Sequence, residues 1–384
     1  MRNPPGDLRV SNGRPSAQPT VLLAGGGTGG HIYPNVGIVE ALRAIRPEVR
    51  VRFLVSSRPG DAKIMNNLGE DWTPSPVRPL PTLRRPWEAL PFARAWRRGT
   101  AQVRRLIAEH QIAAVVATGG FVSGPAIAVA ASRGLPRAMV NLDGVPGAAN
   151  RLLVRRCSQV FTAYPSPKLP QAEVIGLPLR TASVGAPERT EARRALDLPP
   201  ERPLLFVTGA THGATSIIET MMALAKRDDF RRAVEPWQIL HQCGTYDVAK
   251  LQRAYDDAGI QARAVDYLSA MGQAWAAADI ALSRAGAGSV AEAWANATPT
   301  VFVPNPYHRD QHQRLNAEPM AEGGAALIRS DAIAPERNAD DWGPVLRELL
   351  GDDERRDAMR RAGRDSCPPA GAAAVAQWID RVLP

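Results

Sequence analysis

Cysteine is scarce in this chain of 384 residues: Cys157, Cys243 and Cys367 stand far apart, with no C-x-x-C pair. That scarcity excludes a disulfide framework and offers no zinc site, so no metal is expected. A reducing cytosol is the default compartment. Long apolar runs are also missing; nothing approaches the 18 or so residues that a membrane-spanning helix needs. The first residues, MRNPPGDLRVSNGRPSAQP, lack the apolar centre of a signal peptide, and 1–18 read as a disordered tail. No D-x-D motif occurs, so a metal-bridged diphosphate is not suggested. No nucleic-acid recognition motif occurs either, and no such partner is expected.

What is present is a globular composition, 45% hydrophobic and 22% charged, with length enough for two domains. The net charge of +9 implies anionic company, such as nucleotide phosphates or an acidic membrane surface. From Thr20 onward, short β-branched runs (TVLLAG, VRFLVS, IAAVVAT, RAMVNL) alternate with helical patterns. This βαβ punctuation predicts a parallel sheet with helices on both faces. The Pro-rich passage Tyr164–Arg180 interrupts it, after which PLLFVTG, WQILHQ, DIALS and TPTVFVPNP restart the rhythm. The expected class is therefore α/β, with two Rossmann-like doubly wound domains facing a cleft. The boundaries are an N-terminal domain at 19–165, a linker at 166–180 that hinges near Gly176–Arg180, a C-terminal domain at 181–365, and a C-terminal helix at 366–384.

Four glycine turns punctuate these halves: AGGGTGGH (24–31), ATGGFVSGP (117–125), TGATHGAT (208–215) and SRAGAGSVAE (283–292). A helix N-terminus presents unpaired N–H groups and partial positive charge, and bare backbone before it lets a phosphate approach. Gly25, Gly27 and Gly30 match G-x-G-x-x-G, the dinucleotide fingerprint. The acid that should hold an NAD ribose is missing, because the next strand ends in Ser56, Ser57 and Arg58. Ser-Arg there leaves an NADP reading open. Several such turns in two halves suggest two phosphorylated ligands meeting at a cleft, with tight βα packing as the alternative for any single turn. Glu292, on the helix opened by Gly286 and Gly288, is placed to grip ribose hydroxyls or else to sit on a surface.

The segment Leu83–His110 carries seven arginines interleaved with Trp87, Leu90, Phe92 and Trp96. It suits an anionic membrane surface, or a core helix whose arginines face water.

GGGTGGHIYP, TGGFVSGP, VPGAANRLL, LPQAEVIGLPLR, SRAGAGSVAE and VPNPYHRDQHQRLNA together resemble the MurG family, in order and spacing, from about Val21 to Ile328. These are UDP-N-acetylglucosamine:lipid-linked muramoyl-pentapeptide glycosyltransferases of peptidoglycan synthesis. The resemblance implies a GT-B fold, a UDP-sugar donor, a polyprenyl-diphosphate-linked acceptor, no cofactor, and a peripheral place on the cytoplasmic face of the membrane. It implies that Thr28, Gly29 and Gly30 meet phosphates, that Arg180 lies near the donor, and that Thr211 lines the third turn. By the same likeness Leu268 meets uracil through its backbone. Ala287, Gly288, Ser289, Val290, Ala291 and Glu292 cover the nucleotide, and His312 and Gln313 contact the sugar. Gly119, Gly120, Ser123 and Asn150 fall on the acceptor side.

The chain also departs from that pattern. The family's His-Glu-Gln-Asn before VPG is Val140, Asn141, Leu142 and Asp143 here, and the Asn of its GNPVR is Leu177. His212 and Thr215 replace a Gln and an Arg, and His312 replaces the first of two glutamines. A related transferase with another sugar or lipid acceptor, or a silent UDP-sugar-binding protein, therefore stays open. Without a metal, leaving UDP needs backbone N–H groups, a helix N-terminus and an arginine. An inverting transfer needs one base for the acceptor hydroxyl; His31 is the first candidate and Asp143 the second.

Overall fold

The computed structural model describes residues 18–81, 86–210, 213–368 and 370–384. Its strands in chain order are β1 (Thr20–Gly25), β2 (Arg50–Ser56), β3 (Trp72–Ser75), β4 (Ile112–Gly119), β5 (Arg137–Asn141), β6 (Gln159–Thr162) and β7 (Glu173–Val174). They continue with β8 (Leu204–Thr208), β9 (Gln238–Gln242), β10 (Ala262–Val265), β11 (Ile280–Ser283), β12 (Thr300–Phe302) and β13 (Ala326–Ile328). Two separate sheets result, ordered β3-β2-β1-β4-β5-β6-β7 and β10-β9-β8-β11-β12-β13. Every pairing is parallel. Such strands are covered by helices on both faces, so they read as continuous apolar runs. β1, β8 and β11 are accordingly buried along their whole length.

Both strand orders reverse direction beside their first strand, between β1 and β4 and between β8 and β11. A reversal of this kind splays the flanking connections apart and leaves a crevice at the carboxyl ends of the strands. Register brings the glycine turns together there. Gly25 pairs with Gly119 after an irregularity at Ala24/Gly25, and Ser283 pairs with Thr208. The first and second turns are thus neighbours in one half, and the third and fourth in the other.

The Pro-rich passage is more than a connector, since β7 adds the edge strand of the first sheet. Beyond it the chain crosses over Gly37, where a Cβ would meet the Leu179 backbone, and Glu40 accepts from the Thr181 N–H at 2.6 Å and its hydroxyl at 2.9 Å. The terminal helix Gly371–Val382 returns to the first half. There Val375, Ala376, Trp378 and Ile379 join the core of Val21, Leu23 and Phe53, with Trp378 edge-on to Phe161 at 6.5 Å. The second half holds its own core around Trp342, Phe230 and Tyr255 on one face of its sheet and Trp275 and Phe206 on the other. Among the described residues, no helix is long and apolar enough to cross a membrane. The proposed 1–18 tail lies outside the described residues except for Gln18.

Candidate active site

The first glycine turn is shaped by packing. A Cβ on Gly26 would lie 2.7 Å from the Ser56 nitrogen and 2.8 Å from Asp61 Oδ2. Asp61 is buried and accepts from the Gly27 N–H at 2.6 Å and from the Ser56 hydroxyl at 2.6 Å. The Arg58 guanidinium donates to the Gly27 carbonyl at 2.8 Å and lies 5.5 Å from the centre of the Phe121 ring. The acid sought at the end of β2 for a ribose therefore stands five positions past Ser56 and binds the turn itself. The cation that suited a 2′-phosphate is spent on the same turn. Sequence reasoning passed over Asp61; its signal was an acid in the first turn of the helix Pro59–Leu68.

The second turn fits over the first. Gly120 has φ +76°, and a Cβ there would strike the Gly26 carbonyl, so only glycine serves. Ser123 is buried, and its hydroxyl donates to the Gly119 carbonyl at 2.8 Å and accepts from the Gly119 N–H at 3.2 Å. It thus holds the shape of the turn.

Thr28 stands at the extended N-cap of the helix Gly29–Ile45 without its side chain capping it. First-turn N–H groups are left for an anion. His31 lies two residues in, its Nε2 about where a Gly119 Cβ would come within 3.1 Å, and its Nδ1 3.2 Å from Thr28 Oγ1. Burial holds the His31 imidazole below the usual histidine range, and the charges of Asp143 and Asp61 oppose that shift. The ring is consequently neutral at neutral pH. With the proton on Nδ1 donated to Thr28, Nε2 carries a free lone pair.

The altered segment Val140–Asp143 is knitted by its own amides. Asn141 donates to the Asp143 carbonyl at 2.6 Å and to Thr162 Oγ1 at 3.2 Å, and accepts from Asn150 Nδ2 at 3.0 Å. Asn150 thus supports this lip from below. Asp143 Oδ1 accepts from Asn316 Nδ2 at 3.0 Å, a contact from the second half. The charge of Asp143 also bears on the His31 ring, which links the two candidate bases. Asn316 carried no signal in the sequence, because its partner is 173 residues away.

In the second half, Thr211 and His212 lie outside the described residues. The fourth turn differs in kind from the first two: a Cβ on Gly286 or Gly288 would meet nothing within 4 Å. Packing does not require glycine there, and the open backbone before the helix Ala287–Ala295 suits close approach of a ligand. Ser289 and Val290 are buried beneath, Ala291 is half-buried, and the Ala287 carbonyl accepts from the Tyr164 hydroxyl at 3.0 Å. The half-buried Glu292 accepts from Trp275 Nε1 at 3.1 Å and from the Ser183 hydroxyl at 3.2 Å. Burial pushes its carboxyl above the usual glutamate range, against those two donors and Arg180.

Arg180 stacks on Tyr33, 4.0 Å from its ring centre, and its Nε is buried without a partner. The linker arginine thus meets Tyr33 of the first half, and its charge bears on Glu292 of the second. Leu268 is buried ahead of the helix Met271–Ala277. Gln313 accepts from the Asn305 N–H at 2.9 Å, fixing the loop after β12. His312 pairs with Asp310 at 2.7 Å and stacks on His308 at 4.3 Å.

A polar hollow of about 770 Å³ opens at the other ends of the strands, beside Thr20 and Arg50. Its charges pair with each other, as in Arg43–Glu70 and Arg52–Asp71, and it holds none of this chemistry.

Comparison with known proteins agrees with this geometry. The glycosyltransferase family 28 N-terminal domain matches residues 21–162, and the glycosyltransferase family 28 C-terminal domain matches residues 204–359. A protein of Nocardioides sp. is 36% identical over 357 residues, covering 91% of this chain and 94% of its own length. One from Streptomyces coelicolor is 35% identical, covering 90% and 93%. Both are named UDP-N-acetylglucosamine–N-acetylmuramyl-(pentapeptide) pyrophosphoryl-undecaprenol N-acetylglucosamine transferase. The crystal structure of MurG from Acinetobacter baumannii shares the GT-B fold, with a TM-score of 0.73 at 24% identity over 95% of this chain and 99% of that one. Two glycine-turned Rossmann-like halves, matched domain by domain and along most of their length, place this chain in the MurG family of glycosyltransferase family 28.

Proposed function

We propose that the chain moves N-acetylglucosamine from UDP-N-acetylglucosamine to a muramoyl-pentapeptide carried on pyrophosphoryl-undecaprenol, with inversion at the anomeric carbon. The observation that carries this reading is the place of His31, on the first phosphate-type turn and against Gly119 of the second, where burial holds its imidazole below the usual histidine range and the charge of Asp143 bears on it. The acceptor hydroxyl attacks the anomeric carbon, its proton passes to His31 Nε2, and the bond to UDP breaks with its electron pair on the diphosphate. Arg180 and the open N–H groups at Gly29, Gly30 and the fourth turn stabilise that charge. Glu292 holds the ribose, Leu268 meets the uracil, and His312 and Gln313 face the sugar. Gly119, Gly120 and the lip held by Asn150 face the acceptor.

UDP release from UDP-N-acetylglucosamine tests the reading. It should rise by orders of magnitude when the lipid-linked muramoyl-pentapeptide is added. Flat release with that acceptor but a rise with another polyprenyl diphosphate would transfer the assignment to a different acceptor. Tight UDP binding with flat release throughout would make the protein a sensor.

The basic helix supports a membrane-facing first half. Along Ala89–Glu109, Ala95, Gly99, Val103, Leu106 and Ile107 are buried, while Arg94, Arg97, Arg98, Arg104 and Arg105 are exposed. Phe92 and Trp96 are half-buried, whereas Trp87 and Leu90 at its start are 69% and 59% exposed. Leu83, Arg84 and Arg85 lie outside the described residues. Two exposed apolar side chains beside solvated arginines suit an anionic bilayer surface, each arginine contributing about 1 kcal/mol at the surface. The protein should co-sediment with vesicles containing anionic lipid and release at high salt. Trp87→Ser/Leu90→Ser should weaken that binding about tenfold or more without changing turnover on a detergent-solubilised acceptor. Equal binding to neutral vesicles would remove the electrostatic part of the proposal.

A further inference from the structure

Asn316 joins the two halves through both ends of its amide. It is fully buried on the helix His312–Glu322 of the second half. Its Oδ1 accepts from the Gly144 N–H at 2.8 Å, and its Nδ2 donates to Asp143 Oδ1 at 3.0 Å and lies 3.4 Å from the Ala285 carbonyl. Gly144 is fitted to it: a Cβ there would come within 3.2 Å of Leu315 Cβ. One amide therefore touches the lip of the first half and the residue before Gly286 of the fourth glycine turn. A second tie runs the same way, from the Tyr164 hydroxyl to the Ala287 carbonyl.

Helical spacing makes this arrangement consequential. Residues four apart lie on one face, so Asn316 follows His312 along the same side of the helix. The first turn of that helix carries the residues facing the sugar, and the second turn carries the grip on Asp143. Asp143 in turn bears on His31 through its charge. The other carboxylate acting on that ring, Asp61, belongs to the first half and is fixed by the glycine turn whatever the position of the second half.

We propose that Asn316 is a positioning residue that holds Asp143 beside His31 only when the two halves are apposed, so that seating the donor completes the electrostatic support of the base. Asp143 then stabilises the imidazolium formed as the acceptor hydroxyl gives up its proton. This rests on His31 being the base of the proposed transfer.

The test combines kinetics with nuclear magnetic resonance titration of the His31 ring, which needs no turnover. In Asn316→Ala, Asp143 is released, and the His31 titration should move to lower pH. The acid limb of kcat/KM should move with it, and kcat should fall about tenfold, the weight of one hydrogen bond to a charged group. Asn316→Asp places two carboxylates together and should be worse. Adding Asp143→Asn to it restores a hydrogen bond across the halves with the roles exchanged. That double variant should regain donor KM and thermal stability but keep a displaced His31 titration, because the charge now sits across the hydrogen bond, on the second half. A folded Asn316→Ala protein with His31 titrating as in wild type would overturn the proposal, as would a double variant no better than Asn316→Asp alone. If wild type shows no transfer yet the titration shifts as stated, the clasp stands and the transferase reading fails.

Discussion

Replacing His31 with alanine should lower turnover by about 10²–10⁴-fold, the usual share of general acid–base catalysis, with UDP affinity little changed. The ring contacts Gly119 and Thr28 of the first half, whereas the groups assigned to uracil and ribose belong to the second half. The pH profile adds a constraint. Burial dominates at His31 and holds its imidazole below the usual range, which favours the unprotonated form that the proposed base needs at neutral pH. Turnover should therefore persist below the ordinary histidine pKa of about 6.5 and fall only as pH drops through the lowered value. The His31→Ala variant should lose that limb. Near-normal turnover in His31→Ala would move the base to Asp143. Loss of UDP binding in the same variant would make the ring a structural part of the turn.

The same shift has a consequence for stability. A histidine depressed on folding binds its proton more readily when unfolded, so it favours the fold above the unfolded pKa and costs stability as pH falls below it. His241 belongs to the same class, fully buried and pushed down to about 3. Acid should thus weaken both halves before the carboxylates titrate, and an activity profile is interpretable only where the thermal transition is unchanged.

What the sequence disclosed was local chemistry. The eight runs named from β-branched content became β1, β2, β4, β5, β8, β9, β11 and β12. These are the inner strands and their neighbours, whose burial on both faces forces continuous apolar residues. The strands it did not disclose, β3, β6, β7, β10 and β13, are short and lie at or toward the edges. Pro74 sits in β3 and Glu173 in β7, residues that edge positions tolerate and central ones do not. The helical end of the chain was legible as helix, but its return to the first half was not, since nothing local in GAAAVAQWIDRV names Phe161 as a partner. The site divides similarly. His31, Glu292 and the glycine turns stand in recognisable local patterns, whereas Asp61 and Asn316 act through partners brought to them by folding. The glycines themselves needed the structure to be sorted. Gly26 and Gly120 answer to packing, while Gly286 and Gly288 leave the backbone open.

That openness beside the fourth turn leads to Glu292. Its carboxylate accepts one hydrogen bond on each oxygen, from Ser183 and from Trp275. A carboxylate has about four acceptor sites, so two remain for the paired hydroxyls of a ribose. Trp275 is buried and edge-on to Phe206 at 5.1 Å, which fixes the direction of its N–H and hence of the carboxylate. Removing it should cost two charge-assisted hydrogen bonds to the donor. Glu292→Ala should therefore raise donor KM about 10²-fold, with a much smaller change in kcat because the ribose is held alike before and during transfer. The sign of the pH dependence follows from burial, which raises the carboxyl above the usual glutamate range. Donor KM should start to climb as pH falls through that raised value, at a higher pH than an ordinary glutamate would give, and Glu292→Gln should abolish the climb. Calorimetry with UDP and with uridine should show the same loss for both ligands, since the ribose is common to them. A Glu292→Ala protein that binds uridine as wild type does, yet turns over slowly, would put the carboxylate on the sugar or the leaving group instead.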